Sequence, residues 1–117
     1  MDESKIINLV EFGGEGVVEV APPTLSKKVA LKNELGKRAR MKIVDGEQTL
    51  LYDDIGDVEV LKALAYVRSA PFPTTLKGFL AYCDKLDEVK NGNGEALFAA
   101  LNKAVEEVTA SPGPLGN

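Results

Sequence analysis

The chain has 117 residues, enough for one domain whose core needs no disulfide or metal staple. Its net charge of -4 argues against a general affinity for nucleic acid, and the absence of histidine removes the commonest catalytic base and metal ligand. One cysteine leaves no intrachain disulfide and suits a reducing cytoplasm, while no stretch nears the roughly 20 apolar residues of a membrane span.

The acidic opening Met1-Asp2-Glu3-Ser4-Lys5 lacks the apolar run of a signal peptide. From Ile6 to Phe12 apolar residues alternate loosely, which predicts a strand. Gly13-Gly14-Glu15-Gly16 then reads as a turn, and Val17 to Val20 as a second strand closed by Ala21-Pro22-Pro23. A β-hairpin follows. The glycines do not make a phosphate loop, because Val17 stands where the lysine and hydroxyl residue would have to be.

After the prolines, Thr24 or Ser26 can cap a helix running to about Ala39. Its apolar residues Leu25, Val29, Leu31 and Leu35 form a narrow stripe, expected to have one buried edge or to await a partner. Lys27, Lys28, Lys32, Lys37, Arg38, Arg40 and Lys42 supply half of the chain's basic residues, and the stretch from Asp45 to Glu59 is acidic. Between them Met41 to Val44, Asp45-Gly46, and Thr49 to Tyr52 predict a second hairpin, since Asp-Gly accepts the backbone of a tight reversal.

The core is expected from Val58 to Val108. Asp57 is read as the cap of a helix carrying Val58, Leu61, Leu64, Ala65 and Val67. Pro71 and Pro73 separate it from a second helix, capped by Thr74 or Thr75, with Leu76, Phe79, Leu80, Cys83 and Leu86 at steps of three and four. Asn91-Gly92-Asn93-Gly94 stops that helix, and Leu97, Phe98, Leu101, Val105 and Val108 repeat the pattern in a third. The expected architecture is therefore α+β and mainly helical, with three to four packed helices and one or two short N-terminal β-hairpins. Residues 1–110 form a single globular domain, and 111–117 a flexible tail.

The candidate chemistry is sparse. Counted from Asp53, the third and twelfth places of a calcium loop fall on Ile55 and Leu64, so Asp53, Asp54, Asp57 and Glu59 read as a helix start and not as a metal cage. Asp84, Asp87 and Glu88 fall opposite the apolar stripe beside Lys85, a solvated face and not a catalytic pair. Cys83 lies in the stripe with no histidine to activate it. No cofactor, metal or catalytic residue is expected. The basic segment 27–42 lacks neighbouring aromatic residues for base stacking; the acidic block can pair with it within the chain or across a homo-oligomer.

The run Val58-Glu59-Val60-Leu61-Lys62-Ala63-Leu64, the break at Ala70-Pro71-Phe72-Pro73-Thr74-Thr75, and Phe79-Leu80-Ala81-Tyr82-Cys83-Asp84-Lys85-Leu86-Asp87 resemble the helical body of the small tail assembly chaperones of long-tailed bacteriophages. The resemblance is one of arrangement, from Pro22 to Val108, and no single residue's role carries over. It implies a helical, non-enzymatic protein that coats the tape measure helix while tail tube subunits polymerise in the host cytoplasm. A C-terminus of the Ser111-Pro112-Gly113-Pro114 kind suits a family often extended by frameshifting.

The leading expectation is a protein-binding assembly factor whose contact residues are Leu25, Val29, Leu31, Leu35 and Phe72, with Lys27, Lys28, Lys32, Lys37, Arg38 and Arg40 available for charged contacts. The apolar edges around Phe72 and Phe79 are expected to border its groove. The competing expectations are a nucleic-acid-binding regulator using the basic segment and a structural virion subunit.

Overall fold

A computed structural model describes residues 4–110, so the expected tail at 111–117 lies outside the described residues. The first strand, β1 (Lys5–Asn8), is shorter than the alternation suggests, because the chain turns at Leu9 into a 3-10 turn, Leu9–Phe12. The Asn8 side chain accepts a hydrogen bond from the Val10 amide at 3.1 Å, the local bond by which an asparagine draws a chain out of a strand. The second strand, β2 (Val17–Val20), returns antiparallel to β1, with Ile7 opposite Val18.

Helix α1 (Leu25–Arg38) begins where Thr24 Oγ1 accepts from the Lys27 amide at 3.4 Å. It leads into the hairpin of β3 (Ala39–Val44) and β4 (Glu47–Tyr52). Asp45 and Gly46 take φ values of 53° and 82°, the paired left-handed angles of a two-residue reversal.

Helix α2 (Ile55–Leu64) starts at Asp54 and not at Asp57. Asp54 adopts a left-handed backbone and makes no side-chain capping bond, and the Asp57 carboxylate is drawn away to Arg38 at 3.3 Å. Val67 is likewise not helical. It opens β5 (Val67–Ser69), which pairs with β2 and completes an antiparallel sheet of order β1-β2-β5.

Helix α3 (Leu76–Val89) is capped by Thr75, whose Oγ1 accepts from the Gly78 amide at 3.0 Å. The turn that follows is shorter than expected, since Asn93 and Gly94 already belong to α4 (Asn93–Ala110). Asp87, partly exposed, also holds this turn together: its Oδ1 accepts from the Gly92 amide at 3.2 Å and the Gly94 amide at 2.8 Å. Gly94 is required here because an added Cβ would lie 2.8 Å from the Cys83 carbonyl oxygen and 3.0 Å from its Cβ.

The core forms where α4 lies against both α3 and the three-stranded sheet. Ile7, Leu9, Val18 and Val20 meet Leu97, Leu101, Ala104 and Val108, and Val60, Leu64, Phe79, Cys83 and Leu86 close the other side. Phe72 stacks on Tyr82 with ring centroids 4.7 Å apart and tilts against Phe79 at 5.6 Å. Leu80, expected in the buried stripe, is instead 41% exposed, because the sheet and α4 cover only the Phe79–Cys83–Leu86 line. No helix among the described residues is long and apolar enough to cross a membrane.

Outside this core stand α1 and the β3–β4 hairpin. No residue of either is fully buried. The extents of 50 × 40 × 23 Å and the radius of gyration of 16.0 Å reflect that projection; a compact chain of this length has a radius near about 13 Å.

Phe79→Ala is expected to lower stability by about 3–5 kcal/mol in urea unfolding, since it empties the centre of the core. Asp87→Ala should cost about 1 kcal/mol, and Asp87→Asn much less because an acceptor remains for the two amides.

Candidate functional site

The four apolar residues expected to form one stripe on α1 divide into two faces. Between Val29 and Leu31 the step is only two residues, which turns the helix by about 200° and sends them to opposite sides. Leu25 and Val29 face outward, 77% and 49% exposed. Leu31 and Leu35 turn toward the body and are half-buried. Phe72 belongs to neither face. It is buried in the aromatic cluster with Phe79, so neither phenylalanine borders a binding surface and the expectation for both is corrected.

On the inward side α1 and α2 do not close on one another. A groove of about 440 Å³ runs between them and the start of α3. Its apolar floor and walls are Ala30, Leu31, Leu61, Leu64, Ala65 and Leu76, and Lys27, Glu34 and Arg38 stand among them. Leu61 and Leu76 are each half-buried, so the groove exposes part of their aliphatic surface, although Leu76 also packs against the core.

Polar contacts at the two ends of α1 hold it over this groove. Near its N-terminus Lys27 Nζ donates to the Val67 carbonyl oxygen at 2.6 Å, tying the helix to the edge strand of the sheet. At the other end Arg38 reaches three carboxylates: Asp57 at 3.3 Å, Asp54 at 3.6 Å and Glu34 at 3.6 Å. Its Nε is buried without a hydrogen-bond partner, beside the groove that Arg38 lines. Arg40 Nε pairs with Asp53 Oδ1 at 2.8 Å, and Lys37 with Glu34 at 3.6 Å.

These pairs decide what the basic segment can do. The acidic stretch after the hairpin folds back onto Arg38 and Arg40, while Lys27 is held by the Val67 carbonyl oxygen and Lys37 by Glu34 of α1 itself. Lys28 and Lys32 on α1 and Lys42 on β3 stay exposed without an ion-pair partner among the described residues. Asp53, Asp54 and Asp57 spend their charge on Arg38 and Arg40, and among the described residues no three histidine, cysteine, aspartate or glutamate side chains are placed to hold a metal ion.

Cys83 packs inside the core, where burial, reinforced by the Asp87 and Asp84 carboxylates, pushes its thiol up to about 11. It therefore stays protonated across the ordinary pH range. Burial also raises the Tyr82 hydroxyl above its usual value. No family model, curated protein or solved structure matches this chain.

Of the residues expected at the site, Leu31, Lys27 and Arg38 line the groove, whereas Leu25, Val29, Leu35, Phe72, Lys28, Lys32, Lys37 and Arg40 do not, and the opposite wall was not expected at all. Leu61 and Leu64 read as ordinary core positions of α2. Only the gap between the two helices gives them a second role.

The Cys83 thiol is expected to react with an aromatic disulfide reagent only after denaturant is added. Between about pH 9, where the unfolded thiol ionises, and about 11, where the folded one does, the native state holds the extra proton. Stability should accordingly fall as pH rises through that window, measurably less so in Cys83→Ala.

Proposed function

We propose that this chain is a non-catalytic protein-binding assembly factor that takes an apolar or amphipathic helix of a partner protein into the groove between α1 and α2. The single observation that carries the reading is the partly open aliphatic surface of Leu31, Leu61 and Leu76, floored by the buried Leu64, under a helix that has no buried residue of its own. A helix binds such a groove through side chains at i, i+3 and i+4, each burying apolar area on both partners.

The charged groups around the groove add direction. Lys27 lies near one end of α1 and Glu34 and Arg38 near the other, so the groove offers both signs to the polar flank of an incoming helix. Because α1 is tied down by polar contacts and not by core packing, it can shift to admit a guest without breaking the core.

Among helical partners, the tape measure protein of a long-tailed bacteriophage is the one that the order of elements favours. On this reading the chain is a small tail assembly chaperone that shields the tape measure helix until tail tube subunits assemble around it. The work is done by holding and releasing apolar surface, and no bond is made or broken.

Binding of fluorescent tape measure segments, followed by anisotropy, tests this. Leu31→Asp is expected to weaken binding by roughly ten- to a hundred-fold, the equivalent of burying about one leucine. It should leave helical circular dichroism and cooperative melting in place. Leu25→Asp, on the outward face, should leave affinity unchanged. Loss of the fold in Leu31→Asp, or equal effects of the two substitutions, would count against the groove.

A further inference from the structure

The β3–β4 hairpin leads to a second surface and a different partner. Every residue from Arg40 to Leu51 is exposed, and an isolated two-stranded hairpin is only marginally stable in water. Its register sets Met41 opposite Leu50 and Ala39 opposite Tyr52, so Met41, Ile43, Leu50 and Tyr52 share one face. Met41, Ile43 and Leu50 are 64%, 71% and 51% exposed on it.

The two edges of the hairpin differ in charge. β3 carries Arg40 and Lys42, side chains that deter the addition of another strand, whereas β4 is uncharged from Gln48 to Tyr52. Among the described residues β4 borders no strand but β3. The backbone alternation is also settled. The Asp53 amide donates to the Arg38 carbonyl oxygen at 2.8 Å, one step past the strand ends, so Leu51, Thr49 and Glu47 turn their backbone groups toward β3. Gln48, Leu50 and Tyr52 therefore turn theirs outward.

We propose that β4 pairs antiparallel with the β4 of a second copy of this chain, with Leu50 on the two-fold axis, to make a four-stranded sheet of order β3-β4-β4-β3. In that register Leu50 meets Leu50 of the second copy and Gln48 meets Tyr52, so each outward-turned residue finds a backbone partner. The axis stands perpendicular to the sheet, which brings the apolar faces of both hairpins onto one side. Pairing centred on β3 would instead set Lys42 against Lys42 or Arg40 of the second copy. The one approach of like charges through β4 is Glu47 to Asp53 of the second copy, where Arg40 already neutralises the Asp53 carboxylate at 2.8 Å.

The test is sedimentation of the full chain together with amide exchange. A dimer is expected at micromolar concentrations, with the Gln48, Leu50 and Tyr52 amides exchanging slowly in the dimer and fast on dilution. Thr49 and Leu51 should keep the protection of the hairpin at both concentrations. Leu50→Lys should be monomeric with unchanged helical circular dichroism. On oxidation, Leu50→Cys should form a covalent dimer, because paired residues about 5.5 Å apart at Cα allow a disulfide. A chain that stays monomeric, a dimer whose three outward amides exchange freely, or a dimer that Leu50→Lys leaves intact overturns the proposal. If Leu50→Lys loses its helical signal, the cross-link decides, and its absence overturns the proposal too. None of these measurements involves the groove, so self-pairing and helix capture stand or fall separately.

Discussion

The contact on which the rest of the molecule depends is the seam that α4 presents in two directions at once. Leu97, Leu101, Ala104 and Val108 meet the sheet residues Ile7, Leu9, Val18 and Val20, and the same helix is the partner of α3. A sheet of such short strands needs a helix packed on it, and α3, 14 residues long, is at best marginal alone. Each becomes stable only by covering the other's apolar side. Asp87 and Gly94 matter for this reason, since they fix the tight turn that sets α4 against α3.

With the core closed in this way, the segment from Leu25 to Tyr52 is left outside it. That segment is joined to the body by hydrogen bonds and ion pairs, chief among them Lys27 to the Val67 carbonyl oxygen and Arg38 to Asp54 and Asp57. Partly exposed ion pairs of this sort contribute little stability but set orientation well. The result is a rigid core carrying a helix and a hairpin that keep apolar surface available. That division is compatible with the proposed binding role, in which the core supplies the fold and the projecting segment the contacts.

The two apolar surfaces of this segment differ in kind. The groove under α1 is concave and aliphatic with charges around it, which fits a helix. The face and free edge of the hairpin offer backbone groups in a row, which fits a strand. The outward pair Leu25 and Val29 is a third, smaller patch that neither surface uses.

Much of the architecture was legible in the order of residues. Steps of three and four marked α3 and α4, prolines and capping threonines marked their starts, and Asp45-Gly46 marked the second hairpin, because these signals act between near neighbours. The sequence could not reveal that Val67 would leave the helical pattern to become the third strand of a sheet, since a valine's choice of helix or strand rests on which partner lies beside it. Nor did it show that Phe72 would be enclosed by Tyr82 and Phe79 while Leu61 and Leu76 stayed partly open. The local pattern determined which elements form and which sides are oily; only the way α4 divided its surface between sheet and helix decided which of those sides were covered and which were left open.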